Sequence, residues 1–337
     1  MSPMDRKHFL LSLLPLGLSF QTKADFSKEG FSLILPKLKK KKIGIIGLDS
    51  THSIAFTKAI NMASADSLYG QFSVVSAYPY GSKTIALSVE RIPKIMAEIQ
   101  QYGVTVVSSI AQLLKQVDYV FLETNDGNLH LQQALEVLKA RKPLFIDKPI
   151  ANSYTDALQI FEAARKYGCP VFSSSSLRYI VGLQELDKSK VVGADVYSPA
   201  VTDPSHKDLY WYGIHAVEML FALMGPGCIT VRTVEERGTS MYIGQWDDGR
   251  IASVRGIREG KDDFGGTVFL KDQIVHLGQF MGYGPLLDRI LPFFQTGQSP
   301  VDERETLAIC AFIDAAEESK LNGGAPVKLQ KLDKLGG

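Results

Sequence analysis

Along the first half of the chain, short apolar runs alternate with longer stretches in which apolar residues recur every three or four positions. KKIGIIGL, FSVVSAY, VTVV, DYVFLET and PLFID read as buried strands. SIAFTKAINMA and the stretches at 85–102, 109–116 and 128–140 read as helices between them. The helix TDALQIFEAARKYG and the strand CPVFSS complete the series. Strands buried on both faces and joined by amphipathic helices predict a parallel sheet with right-handed crossovers. The first half is therefore expected to be an α/β, doubly wound, Rossmann-type sheet.

The pattern changes after about residue 190. VVGADVYSPAV, CITVRTVEER, MYIGQW, RIASVRG, GTVFLK and QIVHLG are closely spaced strand-like runs, and Asp248-Gly249 is a hairpin turn signal. One helix, YGIHAVEMLFALMG, interrupts them, and another at about 302–321 closes the chain. This predicts a C-terminal α+β domain on a mainly antiparallel sheet. One face of that sheet lies against the helices, and the other is open to a second subunit or to the cleft. The expected division is 41–175 for the dinucleotide-binding domain and 176–337 for the substrate and oligomerisation domain.

Residues 1–40 stand apart as an export signal and linker. MSPMDRKH is basic, FLLSLLPLGLSF is apolar but too short to span a bilayer, and PKLKKKK is a charged lead-in to the first strand. DRKHFLL resembles a degenerate twin-arginine signal, which predicts a periplasmic protein. The alternative is a cytoplasmic protein with an amphipathic N-terminal helix.

Charge and composition narrow the partners. The 337 residues are 45% apolar and 22% charged, with a formal net charge of +1. That gives no general attraction to nucleic acid or anionic membrane. Cys169, Cys228 and Cys310 are far apart and odd in number, so they form neither a disulfide framework nor a zinc cluster.

Candidate chemistry gathers at the ends of the predicted strands, where ligands of such sheets bind. GLDSTHSIAF, at 47–56, stands where a phosphate-binding turn G-x-G-x-x-G is expected. Gly47 keeps the first glycine, and Asp49 and His52 replace the others. Ser50 and Thr51 offer hydroxyl donors, and an imidazole at His52 can donate to a phosphate. Asp49 would repel one if it faced it, in which case Asp49→Gly would tighten binding. The alternative is that Asp49 caps the helix and His52 packs locally. The second strand ends without the acid that reads an NAD ribose. Tyr78 and Tyr80 could flank an adenine there, and Ser82 and Lys83 could meet a 2′-phosphate. In ETNDGNLH, Thr124, Asn125 and Asn128 are neutral hydrogen-bonding groups for a ribose or nicotinamide, and His130 reads as structural. In FIDKPIA, Lys148 ends the fifth strand, where it could point into the cleft with Asp147 to orient it; a surface Lys-Pro turn is the alternative. In SSSSLRY, Arg178 and Tyr179 are candidate substrate contacts.

Together, IGIIGLDSTH, ETNDGNLH, the DKP stretch (in place of E-K-P) and YGIHAVEMLFALMG resemble the Gfo/Idh/MocA oxidoreductase family. The resemblance implies a nicotinamide cofactor, NAD or NADP, in the first domain. It implies a sugar, inositol or related polyol as the small-molecule partner, and a homo-oligomer built through the second sheet. Lys148 matches the family's catalytic lysine, and His215 the histidine that exchanges the hydroxyl proton, a role suited to an imidazole. Hydride transfer to nicotinamide requires no metal, and none is expected. Trp211 stands where many members have an aspartate. With Tyr212 it offers an aromatic platform for a sugar ring, although core packing is an alternative for this cluster. Glu218, three residues after His215, makes a pair that imitates a metal site. The same scaffold also admits NAD-assisted glycoside cleavage without net redox change, or a carbohydrate-binding relative without activity.

Overall fold

A computed structural model of the chain describes residues 39–331. The expected export signal lies outside the described residues. The first sheet holds β1 (Lys41–Ile46), β2 (Phe72–Tyr78), β3 (Thr105–Val106), β4 (Tyr119–Leu122), β5 (Leu144–Asp147) and β6 (Val171–Ser174). Its order is β3-β2-β1-β4-β5-β6, with every pairing parallel. The helices between the strands are α1 (Thr51–Asn61), α2 (Ala86–Gln100), α3 (Ile110–Leu114), α4 (Gly127–Lys139) and α5 (Tyr154–Tyr167). The order reverses beside β1, so the crevice outside the carboxyl ends of β1 and β4 is the expected ligand position.

The alternation of side chains explains why both faces of this sheet are buried. Ile46, Val120, Leu122, Leu144 and Ile146 enter one core with apolar residues of α3, α4 and α5. Their neighbours Ile43, Ile45, Phe121, Phe145 and Phe172 enter the opposite core.

The second sheet contains β7 (Val191–Pro199), β8 (Cys228–Glu236), β9 (Thr239–Trp246), β10 (Ile251–Ile257), β11 (Gly265–Leu270), β12 (Ile274–Leu277) and the short β13 (Val327–Lys328), which the sequence pattern does not show. Its order is β12-β11-β7-β10-β9-β8-β13. It is mainly antiparallel, as expected, with one parallel pairing between β7 and β10. The Asp248-Gly249 hairpin joins β9 and β10, with Gly249 at φ 88°. Helices α6 (Ile214–Met224) and α8 (Glu303–Leu321) bring Val217, Phe221 and Phe312 into a core with Tyr242 and Trp246. Ile229, Val234, Ile243 and Ile251 of the same sheet stay exposed.

One helix is absent from the sequence reading. α7 (Gly284–Thr296) carries Pro285 in its first turn and Pro292 in its interior. Pro292 makes GPLLDRILPFFQTG look interrupted, because it lacks an N–H and normally breaks a helix. The apolar face wins here. Leu286, Leu287, Ile290, Leu291, Phe293 and Phe294 are buried against the first sheet. The Phe293 ring lies 4.6 Å from Phe172, and that of Phe294 5.4 Å from Phe121. The chain thus crosses back from the second sheet to cover the first. Among the described residues, no helix is long and apolar enough to cross a membrane.

Candidate active site

A cleft of about 290 Å³ opens at the carboxyl ends of the parallel strands. Ser50, Thr51 and His52 line it from the start of α1, and Asn125 and Lys148 from the ends of β4 and β5. Arg91 comes from α2, and Ser176 and Leu177 follow β6. The second half of the chain adds Trp211, Tyr212, His215, Phe264, Phe280 and Tyr283. Aromatic rings therefore face cations across the cleft, and none of its lining residues is an acid.

The β1–α1 turn is built around a buried carboxylate. Gly47 sits at φ 90°, and a Cβ there would come within 2.4 Å of the Thr124 nitrogen. Only glycine fits both the backbone and the space. Ser50 caps α1, its hydroxyl accepting from the His52 N–H. Asp49 is fully buried and accepts from the Asn125 N–H at 3.0 Å. A Cβ on Gly81 would approach its Oδ2 within 2.3 Å. Burial raises its pKa, while the Asn125 N–H and the Ser88 hydroxyl pull the other way. Ser50, and not Asp49, caps the helix. Asp49 ties the turn to β4.

His52 also departs from local packing. Its Nδ1 lies 3.2 Å from Asp147 and 3.6 Å from Glu123. Its ring lies edge-on to Tyr283 at 4.3 Å between centroids. Burial alone would depress its pKa, but the charges of Asp147 and Glu123 outweigh burial and push it up to about 10. Burial pushes Glu123 up to about 7 against the pull of His52. For Asp147, burial works upward, but the charges of His52 and Lys148 hold its carboxyl well below the ordinary range. Asp147 also accepts from the Lys148 N–H at 2.8 Å, which fixes the backbone of that lysine.

His215 enters the cleft from the first turn of α6. A π-helical turn over Leu209–Gly213 precedes it, a distortion common beside functional sites. Its Nδ1 is 2.7 Å from the Ser175 hydroxyl, which also accepts from the Leu177 N–H. Ser175 thereby sets the orientation of the ring. Burial, then the Lys148 charge, hold the His215 pKa well below the usual histidine value. The ring is therefore neutral at pH 7.

Several expected contacts lie elsewhere. Arg178 is buried, with its guanidinium held by Glu218 at 2.9 Å and by Glu305. It is an internal ion pair and not a substrate contact. The Glu218 carboxylate is engaged in it. Tyr179 packs against the core that contains α7, with Arg289 over its ring. Thr124 is wholly buried beside Gly47. Asn128 donates to Asp126 and to the Ser205 carbonyl, and accepts from Asn152, bracing a loop instead of the cleft. Ser82 accepts the N–H groups of Thr84 and Ile85 at the start of α2. Tyr210 is core, its hydroxyl donating to the Cys310 carbonyl. Its neighbours Trp211 and Tyr212 do reach the cleft. His130 is fully buried between the Pro149 and Thr124 carbonyls, at 2.8 and 2.6 Å, in keeping with a structural role.

Comparison with known proteins agrees with this geometry. Residues 41–175 match the model of the oxidoreductase family with an NAD-binding Rossmann fold, Gfo/Idh/MocA. No curated protein matches the chain by sequence. Among solved structures, it is similar to myo-inositol 2-dehydrogenase from Lactobacillus plantarum (13% identity, 87% of this chain and 100% of that one, TM-score 0.70). It is also similar to scyllo-inositol dehydrogenase from Lactobacillus casei, solved with NAD(H) and scyllo-inositol (14%, 86% and 99%, TM-score 0.66). A third similar structure is the WlbA dehydrogenase from Bordetella pertussis, solved with NADH and UDP-GlcNAcA (18%, 87% and 100%, TM-score 0.65). At these identities the neighbours show the shared two-sheet fold. Residues 41–175 are thus similar to the NAD-binding Rossmann region of the Gfo/Idh/MocA oxidoreductases, and the neighbours extend the likeness of fold to the second sheet.

Proposed function

We propose that the protein is an NAD(P)-dependent dehydrogenase of a sugar, inositol or related polyol, with Lys148 and His215 handling the hydroxyl proton. The observation that carries this reading is that both residues face one cleft at the carboxyl ends of the parallel strands. The residues present fit a dinucleotide. The N-terminus of α1, with Ser50 and Thr51, favours an anion. Arg91 and the charged His52 add to that attraction, and Asn125 offers neutral hydrogen bonds. Beside this turn, Tyr78, Tyr80, Val89 and Ile92 line an open, largely apolar groove of about 480 Å³ suited to an adenine. No acid ends β2, so a 2′-phosphate is tolerated.

The bound nicotinamide supplies the hydride acceptor. Lys148 donates to the substrate oxygen and stabilises negative charge on it. His215, neutral and oriented by Ser175, takes the proton. Trp211 and Tyr212 offer apolar faces for a sugar ring. Product analysis tests the proposal. Net NAD(P)H formation with an oxidised polyol supports it, whereas released sugar at constant cofactor would show NAD-assisted glycoside cleavage instead. The exposed Ile229, Val234, Ile243 and Ile251 support a homo-oligomer through the second sheet. Export is proposed on the N-terminal sequence alone.

Three outcomes follow from the site. Ser175→Ala should lower kcat roughly tenfold, the worth of about one hydrogen bond, with KM little changed, and Ser175→Thr should restore most of it. Because His215 is a neutral base, the acid limb of the wild-type kcat/KM profile should lie below pH 6.5. A limb above that value would remove His215 from the base role. Asp49→Gly should weaken binding of the cofactor, by roughly tenfold or more for a lost charge-assisted hydrogen bond. Titration with NAD+ and NADP+ measures it, and tighter binding would mean that the carboxylate does repel the phosphate.

A further inference from the structure

The cluster of His52, Glu123 and Asp147 lies beneath the cleft and is not used in the proton chemistry above. Its members come from three elements that the sheet holds in register. His52 is in the first turn of α1, Glu123 directly follows β4, and Asp147 ends β5. Their ligand atoms all lie within 4.8 Å of one another. Glu123 is fully buried, yet neither carboxylate oxygen receives a hydrogen bond. The buried Nδ1 of His52 likewise makes no aligned hydrogen bond to either acid. A single imidazole N–H cannot satisfy two carboxylates, and a buried carboxylate without donors is costly. Three buried groups therefore converge on one point at ion-pair distance, with neither His52 Nδ1 nor Glu123 making an aligned hydrogen bond.

The geometry points to a divalent cation site formed by His52 Nδ1, Glu123 and Asp147. Two carboxylates carry the charge of one such ion, and the His52 imidazole, giving up its extra proton as the ion binds, completes the set. Ligands about 2.0–2.2 Å from a tetrahedral metal lie about 3.3–3.6 Å from one another. The two nitrogen–oxygen separations here are 3.2 and 3.6 Å. One imidazole with two carboxylates suits Mn2+, Fe2+ or Zn2+ better than calcium, which takes oxygen ligands in larger number. His52 lines the cleft and gives the ion a way in. Metal on Nδ1 would fix the tautomer and leave the Nε2–H to donate, as metal-bound imidazoles do. The inference does not depend on the nicotinamide reading.

The test uses the whole protein. Metal content is measured as purified, by elemental analysis. After chelation and dialysis, Mn2+ alone is titrated in, followed by electron paramagnetic resonance and calorimetry, and Zn2+ alone in a separate calorimetric titration. The site predicts one equivalent of metal bound. Glu123→Gln and His52→Gln, each shown folded by circular dichroism, should bind it at least about 100-fold more weakly. A folded wild-type protein that carries no metal and takes up neither Mn2+ nor Zn2+ overturns the proposal, and the cluster is then a proton-bridged ion pair. Unchanged affinity in both variants overturns the assignment of the ligands.

Discussion

His215→Asn should lower kcat by about 10²–10⁴-fold, the usual worth of a positioned general acid–base group, without loss of fold. The structure gives the reason. The ring is buried at the cleft, held by Ser175 at Nδ1 and kept neutral by burial and by the Lys148 charge. It can therefore accept a proton at neutral pH, and asparagine cannot. Lys148→Met should cause a loss of similar size, because it removes the donor to the substrate oxygen while keeping the length of the side chain. The two losses should combine to less than their product, since the residues act on one proton. Steady-state kinetics on a turned-over polyol, with circular dichroism as the control for folding, measures both. A rate near wild type in either variant would refute the assigned role.

Arg178→Ala should destabilise the fold by about 3–5 kcal/mol, the cost of breaking a buried ion pair by removing one partner. The guanidinium bridges Glu218 on α6 and Glu305 on α8, and its side chain is only 8% exposed. Without it, two carboxylates remain close together, and Glu218 is wholly enclosed. Replacing Glu218 and Glu305 by glutamine in the same variant should recover part of the loss. Urea denaturation gives the number. A change below about 1 kcal/mol would mean that Arg178 contributes no more than a surface pair does.

The contrast between these residues shows what was legible in the sequence. Strand periodicity located the parallel sheet, because Val120, Phe121 and Leu122 alternate between two cores and leave a continuous apolar run. It missed α7, where Pro292 hides a helix whose burial outweighs the lost hydrogen bond. Lys148 and His215 were singled out through a resemblance carried by Lys-Pro and Gly-x-His, and both line the cleft. Ser175 was not, since nothing in SSSSLRY marks which serine will meet a residue forty positions on. Arg178 stood out in that stretch as a charge, and sequence alone cannot tell an internal ion pair from a ligand contact. The same limit applies to the β1–α1 turn. Asp49 and His52 were visible as departures from glycine. Their partners, Asn125 for one and Glu123 with Asp147 for the other, depend on the meeting of strand ends. Glu123 ends an apolar run and looked like the edge of a strand.

The measurement that tests the central claim most directly is a nucleotide assay. The purified protein is denatured and the supernatant assayed for NAD and NADP, and stripped, refolded protein is then titrated with each. The account predicts bound or titratable nucleotide, held by the turn that Asp49 braces and His52 charges. Folded protein that binds neither would contradict it and would leave a carbohydrate-binding relative on a dehydrogenase scaffold.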